Sequence, residues 1–193
     1  MILIIHNRRA FVNPPTGAGA VRPRLCRLPN APEPAMTGGM LTVRRAVESD
    51  LPALLKVQAE AFGAYTGTYE TAAWTKETLE NVALDAKDKV ILVAEWDGAV
   101  VGSVRFWNAG GVCVIRLLSV SPAYQGRGIG KALMKEIERY ATDAHKLYVC
   151  TMLRTPRNIA MFLNLGYRPE AVMPDHYNRM DMICFSKFLK PPT

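Results

Sequence analysis

A mixed, largely antiparallel sheet of about seven strands, flanked by about four helices, is the α/β fold this sequence predicts. Three observations carry it. Between residues 41 and 189 the elements read β-α-α-β-β-β-α-β-α-β-β, so strands come in runs as well as between helices. Asp97-Gly98 joins two β-rich runs, a strong hairpin signal. A glycine-studded loop, Gln125-Gly126-Arg127-Gly128-Ile129-Gly130-Lys131, leaves an apolar strand and opens a helix.

Taken in order, Leu41–Arg45 alternates like a strand. Ser49 or Asp50 can cap the next helix, with Pro52 in its first turn. Leu51, Leu54, Leu55, Gln58, Ala59 and Phe62 then keep nearly one face, and the glycines at 63 and 67 break the pattern. A short helix is expected over Thr75–Leu84, with Leu79, Val82 and Ala83 inward. Val90–Trp96 and Ala99–Trp107 are the hairpin strands, and Val112–Val120 is the strand that feeds the glycine loop. The helix from Gly128 to about His145 carries Leu133, Ile137, Tyr140 and Ala141 on one stripe. Lys146–Met152 returns as a strand. Thr155 is placed to cap a helix that has Pro156 in its first position and ends at Leu165, where Gly166 suits the left-handed C′ conformation. Tyr167–Met173 and Asp181–Leu189 complete the sheet.

The glycine loop has the makings of a diphosphate site. Unpaired N–H groups of a loop and first helical turn point outward, and the helix dipole adds positive charge. Gly126, Gly128 and Gly130 let backbone approach phosphate, and Arg127 and Lys131 add formal charge. Spacing excludes two familiar phosphate loops. A Walker loop needs four residues between its first glycine and Gly-Lys-Ser/Thr, whereas Gly126 lies one residue too close and Ala132 follows Lys131. The dinucleotide fingerprint is G-x-G-x-x-G; this loop reads G-x-G-x-G, on a strand in mid-chain.

With 193 residues, of which 49% are apolar, one domain with a proper core is expected. No apolar run approaches a membrane span. The net charge of +7 is concentrated at the start: residues 1–35 hold five arginines against Glu33, so four of the seven charges lie there. The remainder carries no basic stripe interleaved with aromatics, which argues against nucleic acid as partner. Residues 1–39, rich in Pro and Gly, read as a disordered or loosely attached extension, with Met36 or Met40 a clean start for the domain at 40–190. Cys26, Cys113, Cys150 and Cys184 show no paired spacing, and three of them fall in predicted strands as small buried hydrophobes. A reducing cytoplasm follows. His6, His145 and His176 form no metal-ligand pattern with them, so no metal is expected.

The pattern Q-x-x-G-x-G, entered from Leu118-Ser119-Val120 and a proline turn, resembles the acetyl-CoA-binding motif of the GNAT superfamily of N-acetyltransferases. Gln125, Gly128 and Gly130 stand at its fixed positions. Thr155–Tyr167 is similar to that family's helix N-x-x-x-Y-x-x-x-G-F/Y: Asn158, Gly166 and Tyr167 fit, while Phe162 replaces the tyrosine of many members. The element order agrees across residues 41–189. The resemblance implies acetyl-CoA as co-substrate, held by backbone of Leu118, Ser119 and Val120, where the strand splays from its neighbour, and by the loop Gln125, Gly126, Arg127, Gly128, Ile129, Gly130 and Lys131. Asn158 and Phe162 would border its pantetheine arm.

It further implies direct attack of a primary amine on the thioester, in a complex holding both substrates. The strand glutamate that serves several members is missing from Val112–Val120, and Phe162 cannot donate a proton. Glu60 and Tyr177 are the catalytic candidates that remain, with Glu95, Asp175, His176 and Asp181 as further titratable groups. The acceptor loops are those around Phe62–Trp74 and Met173–Met180, where Phe62, Tyr65, Tyr69 and Trp74 are clustered aromatics without an acidic cluster. That favours a small amine or peptide over a polycation. The resemblance admits a homodimer, and its rival is a catalytically weak acetyl-CoA sensor or partner-binding module.

Overall fold

The strand Val90–Trp96 sets the layers. Ile91 and Val93 are buried with Leu51, Leu54 and Val82 on one side of the sheet, while Leu92, Ala94 and Trp96 are buried with Ile129, Leu133 and Ile137 on the other. A strand apolar on both faces needs helices on both. The computed structural model describes residues 38–65, 77–177 and 180–189, and there it shows this arrangement. The reading of residues 1–37 as an extension lies outside them, as do Cys26, Tyr69 and Trp74.

Among the described residues the strands are β1 (Leu41–Arg45), β2 (Val90–Trp96), β3 (Ala99–Ala109), β4 (Val112–Val120), β5 (Lys146–Met152), β6 (Arg168–Tyr177) and β7 (Met180–Phe188). The helices are α1 (Leu51–Phe62), α2 (Leu79–Asp88), α3 (Ile129–Tyr140) and α4 (Pro156–Asn164). The sheet order is β1-β2-β3-β4-β5-β7-β6, and β4–β5 is its parallel pair. That pair is joined through α3, as a parallel neighbour requires. Asp97 and Gly98 both take positive φ, 51° and 82°, which is the backbone a tight hairpin asks of them. No helix among the described residues is long and apolar enough to cross a membrane.

Several boundaries differ from expectation, each for a local reason. The second helix runs Leu79–Asp88, because Thr78 caps it: its Oγ1 accepts from Asn81 N–H at 3.2 Å. Leu79 is then 47% exposed instead of inward, and Val82 alone in that helix is fully buried. In α1, Val57 is buried and Ala59 exposed, so the stripe is narrower than expected. Helix α3 stops at Tyr140, a turn early. His145 is claimed by the sheet, its N–H donating to Gly111 C=O at 2.8 Å and its C=O accepting from Leu189 N–H at 2.8 Å. Thr155 makes no side-chain cap; its hydroxyl bonds back to Met152 C=O at 2.6 Å.

The cysteine reading is corrected as well. Cys150 and Cys184 stand directly opposite across β5 and β7, with Cα atoms 4.0 Å apart, and are joined by a disulfide. Cys113 is a free, buried thiol. The absence of a pairing pattern, on which the inference of a reducing compartment rested, therefore does not hold: the partners are 34 residues apart and meet through sheet register.

Candidate active site

Strand β4 is interrupted near its middle. Arg116 pairs with Arg105 of β3, and Ser119 pairs with Ser103, so Leu117 and Leu118 together face the single residue Val104. This is a bulge, and Leu117 takes φ +53° within it. A leucine in that region is strained, which marks the position. The consequence lies on the other edge. Pairing of β4 with β5 runs from Val112↔Lys146 to Ile115↔Val149 and goes no further, so the two strands part at the bulge. A fork between parallel strands leaves backbone N–H and C=O groups facing a gap, where an extended polar chain can lie.

The end of β4 leads straight into the glycine loop. Pro122–Tyr124 forms one 3-10 turn, and Gly126 and Gly128 follow at φ +79° and +80°. No atom lies within 4 Å of a Cβ built on either glycine, so they face open space. Gly128 is the N-cap of α3, whose first backbone bond runs from Ala132 N–H to Gly128 C=O at 2.9 Å. The N–H groups of Ile129 and Gly130 precede that first bond and face the loop. Gln125 folds back, its Nε2 donating to Val120 C=O at 3.0 Å and tying the loop to the strand. Arg127 is exposed, but held: its guanidinium lies 5.3 Å from the Trp96 ring and 5.2 Å from the Tyr124 ring.

A family model described as the acetyltransferase (GNAT) family matches residues 52–167, more than half of the chain. The chain belongs to the GNAT acetyltransferase family. It is an acyltransferase of the N-acetyltransferase type. An uncharacterized N-acetyltransferase of Methanocaldococcus jannaschii is 28% identical over 141 residues, covering 71% of this chain and 84% of that relative. The ribosomal-protein-S18-alanine N-acetyltransferase of Escherichia coli superposes with a TM-score of 0.67 at 17% identity, over 80% of this chain and 97% of the other. The yncA protein of Salmonella typhimurium, solved with its cofactor acetyl-CoA, gives 0.66 at 20% identity, over 79% and 96%. Both structures share the fold of this GNAT chain.

Within this GNAT chain the remaining expected site residues fall into two groups. Around the loop, Ile129 is a core side chain, 1% exposed, so its backbone alone faces outward. Gly130 faces α4, where a Cβ would make ordinary contact with Met161 Sδ at 3.4 Å. On α4, Asn158 Nδ2 donates to Thr151 Oγ1 at 3.1 Å, and Thr155 Oγ1 lies 3.0 Å from the same oxygen. These three side chains pin α4 to the outer part of β5. Phe162 is 2% exposed and packs on Tyr167 and Phe185, at ring separations of 5.8 and 5.5 Å. Burial pushes the Tyr167 phenol up, and its hydroxyl has no partner among the described residues. Cys113, in the same cluster, is raised by burial to about 11.

Of the catalytic candidates, Glu60 lies at the end of α1. Ser121 Oγ donates to Glu60 Oε2 at 2.9 Å, and Lys56 Nζ stands 3.9 Å from Glu60 Oε1. Below them Ser103 and Ser119 share a buried hydrogen bond of 2.9 Å. Tyr177 ends β6 opposite Met180; its side chain lies outside the described residues. Asp181 Oδ1 accepts from Asp175 N–H at 3.0 Å and braces that turn. Met152 and Met180 are buried together, with Tyr65 and Met182 packed on them. The bulge, the Arg105–Arg116 pair and the Trp96–Arg127 stack were not foreseen from the sequence. Only the last had a signal, an arginine inside a loop beside aromatics.

Proposed function

We propose that this protein transfers the acetyl group of acetyl-CoA to a primary amine of a small molecule or peptide, by direct attack with both substrates bound. One observation carries the reading: the fork at Leu117 runs without interruption into a glycine loop and the N-terminus of α3, which has no side-chain cap. The residues suit that co-substrate. A diphosphate fits the N–H groups of Ile129 and Gly130, where glycines leave open space, and the pantetheine amides fit the edge of Leu118–Val120 that β5 leaves uncovered. Acetyl-CoA, when bound, supplies the activated acyl group.

The chain's own part is to orient, to hold charge and to accept a proton. Backbone N–H groups at the bulge meet charge developing on a carbonyl oxygen. Glu60 is the proton acceptor we favour, working through water. Its carboxylate is tied to Ser121, three residues beyond Leu118, and therefore about 10 Å along an extended strand from it. Tyr177, on the acceptor-side turn, is the candidate proton donor to the departing thiolate.

The melting temperature with acetyl-CoA, against free CoA, ATP and NAD as controls, tests the cofactor by linkage. A clear rise with acetyl-CoA and turnover within an amine panel are expected. No shift with any of them would remove the reading. A shift without turnover would favour a sensor or partner-binding module, which the buried Phe162 and the acid-free β4 also suit.

A further inference from the structure

Arg116 is the last residue of β4 before the bulge, one position past the end of the β4–β5 pairing. It stands directly across from Arg105, so both side chains leave the same face of the sheet. That face is the one under α1 and α2, because the Arg105 guanidinium pairs with Asp85 of α2 and with Glu77. On β5, Leu147 and Val149 enter the core beneath α3, so Cys150 and Met152 share the face of Arg116. Met152 there contacts Met180, with Tyr65 and Met182 packed on them. One partly buried cation thus borders the open fork, on the sheet face that also carries a patch of thioethers with an aromatic ring packed on it.

Two like charges directly opposite on adjacent strands destabilise a sheet. Arg105 is 2% exposed, and Asp85 and Glu77 compensate it. Asp85 is also bonded to Lys89 at 2.5 Å, and Glu77 stands 3.4 Å from Arg105. Arg116 is partly buried and has no hydrogen bond or ion pair among the described residues. A guanidinium in that position leaves a place for an anion, and its fork matches a carboxylate's two oxygens.

The anion is not the diphosphate of the co-substrate. Three residues, the bulge among them, lie between Arg116 and Val120, and the loop begins only beyond Val120. Leu118, beside which the thioester is expected, is only two residues away. An amine placed there and bearing a carboxylate on the adjacent carbon brings that carboxylate within reach of an arginine side chain. A polycation would be repelled at the same spot. The methionines offer an adaptable apolar surface to whatever side chain the amine carries.

We infer that Arg116, set at the mouth of the β4–β5 fork on the sheet face that carries the Met152–Met180 patch, recognises the carboxylate of the acceptor, and that the acceptor is a free α-amino acid with an apolar side chain. This rests on the acetyltransferase reading. The test uses the full chain, with acetyl-CoA saturating, and L-leucine, L-methionine and L-phenylalanine against their amides and a leucine-initiated peptide. Wild type, Arg116→Gln and Arg116→Lys are compared, each first shown by its melting shift to bind acetyl-CoA.

In wild type kcat/KM for the acids exceeds that for the amides by about tenfold or more. Arg116→Gln raises KM for the acids about ten- to hundredfold and leaves the amides and the acetyl-CoA Kd unchanged, and Arg116→Lys recovers part of the loss. Amides or the peptide serving as well as the acids would overturn the inference, as would an unmoved KM in Arg116→Gln. Those outcomes leave the acetyltransferase reading standing, whereas failure to bind acetyl-CoA removes both.

Discussion

The hydroxyl of Ser121 donates to the carboxylate of Glu60 across 2.9 Å, joining the end of α1 to the turn that enters the glycine loop. One acid that could accept the amine's proton is therefore fixed relative to β4. If it acts through water, Glu60→Gln lowers kcat by about ten- to hundredfold and changes the pH dependence of the rate. The Kd for acetyl-CoA stays within about twofold. Ser121→Ala produces a smaller drop of the same kind, because the carboxylate remains but is no longer held. Steady-state kinetics across pH, with a melting shift to report binding, check both. A change in Kd alone, with kcat intact, would make Glu60 a brace for the loop.

Gly128 has φ +80° and open space around its missing Cβ. Nothing in the packing forbids a side chain there, so the cost of one is backbone strain of about 1 kcal/mol. Gly128→Glu should lower the melting temperature by only a few degrees. It places a carboxylate where the diphosphate is expected, and the melting shift with acetyl-CoA should vanish. A retained shift would mean that the loop is not the diphosphate site.

Why was so much of the fold legible, and the acceptor side so little? Periodicity reports which face of a segment is apolar, and β2, α1 and α3 state that plainly through Leu92, Leu54 and Leu133. The glycine loop is legible because it is local: its function needs particular residues at fixed spacing within one turn. The fork is not local, and only the family resemblance implied a splayed strand there. It exists because Leu117 takes a left-handed conformation that nothing about leucine announces. Cys150 and Cys184 likewise meet only after β7 has inserted between β5 and β6. The opposition of Arg105 and Arg116 is a matter of register, which a one-residue slip would abolish.

Phe162 stands where a proton donor is found in many relatives by resemblance, yet it is a core residue here, 2% exposed. Phe162→Ala should destabilise the protein by about 3–5 kcal/mol and leave the shape of the pH–rate profile unchanged. Its neighbour behaves in the opposite sense. The buried Tyr167 hydroxyl has no partner among the described residues, so Tyr167→Phe removes a desolvated polar group and should be neutral, or stabilising by about 1 kcal/mol. Urea melts of the two variants decide. A strong loss in Tyr167→Phe would reveal a buried water satisfying the phenol.

Acid sensitivity should be traceable to Asp50. Arg44 Nη1 and Nη2 reach its two oxygens at 2.6 and 2.9 Å, and Val47 N–H donates at 2.8 Å. The Arg44 hydrogen bonds hold the Asp50 carboxyl below its ordinary range, against a smaller opposing effect of burial. A carboxylate with a depressed folded-state pKa contributes stability above its unfolded pKa, about 3.9, and loses it as pH falls through the folded value. Arg44 is 35% exposed, which tempers the bond, so Asp50→Asn should cost about 1–2 kcal/mol at pH 7. The gap between wild type and variant should stay constant down to about pH 5 and narrow from about pH 4 downward. Denaturant melts at pH 7, 5, 4 and 3 measure it. A gap that persists unchanged to pH 3 would show the loss to be one of shape and not of charge.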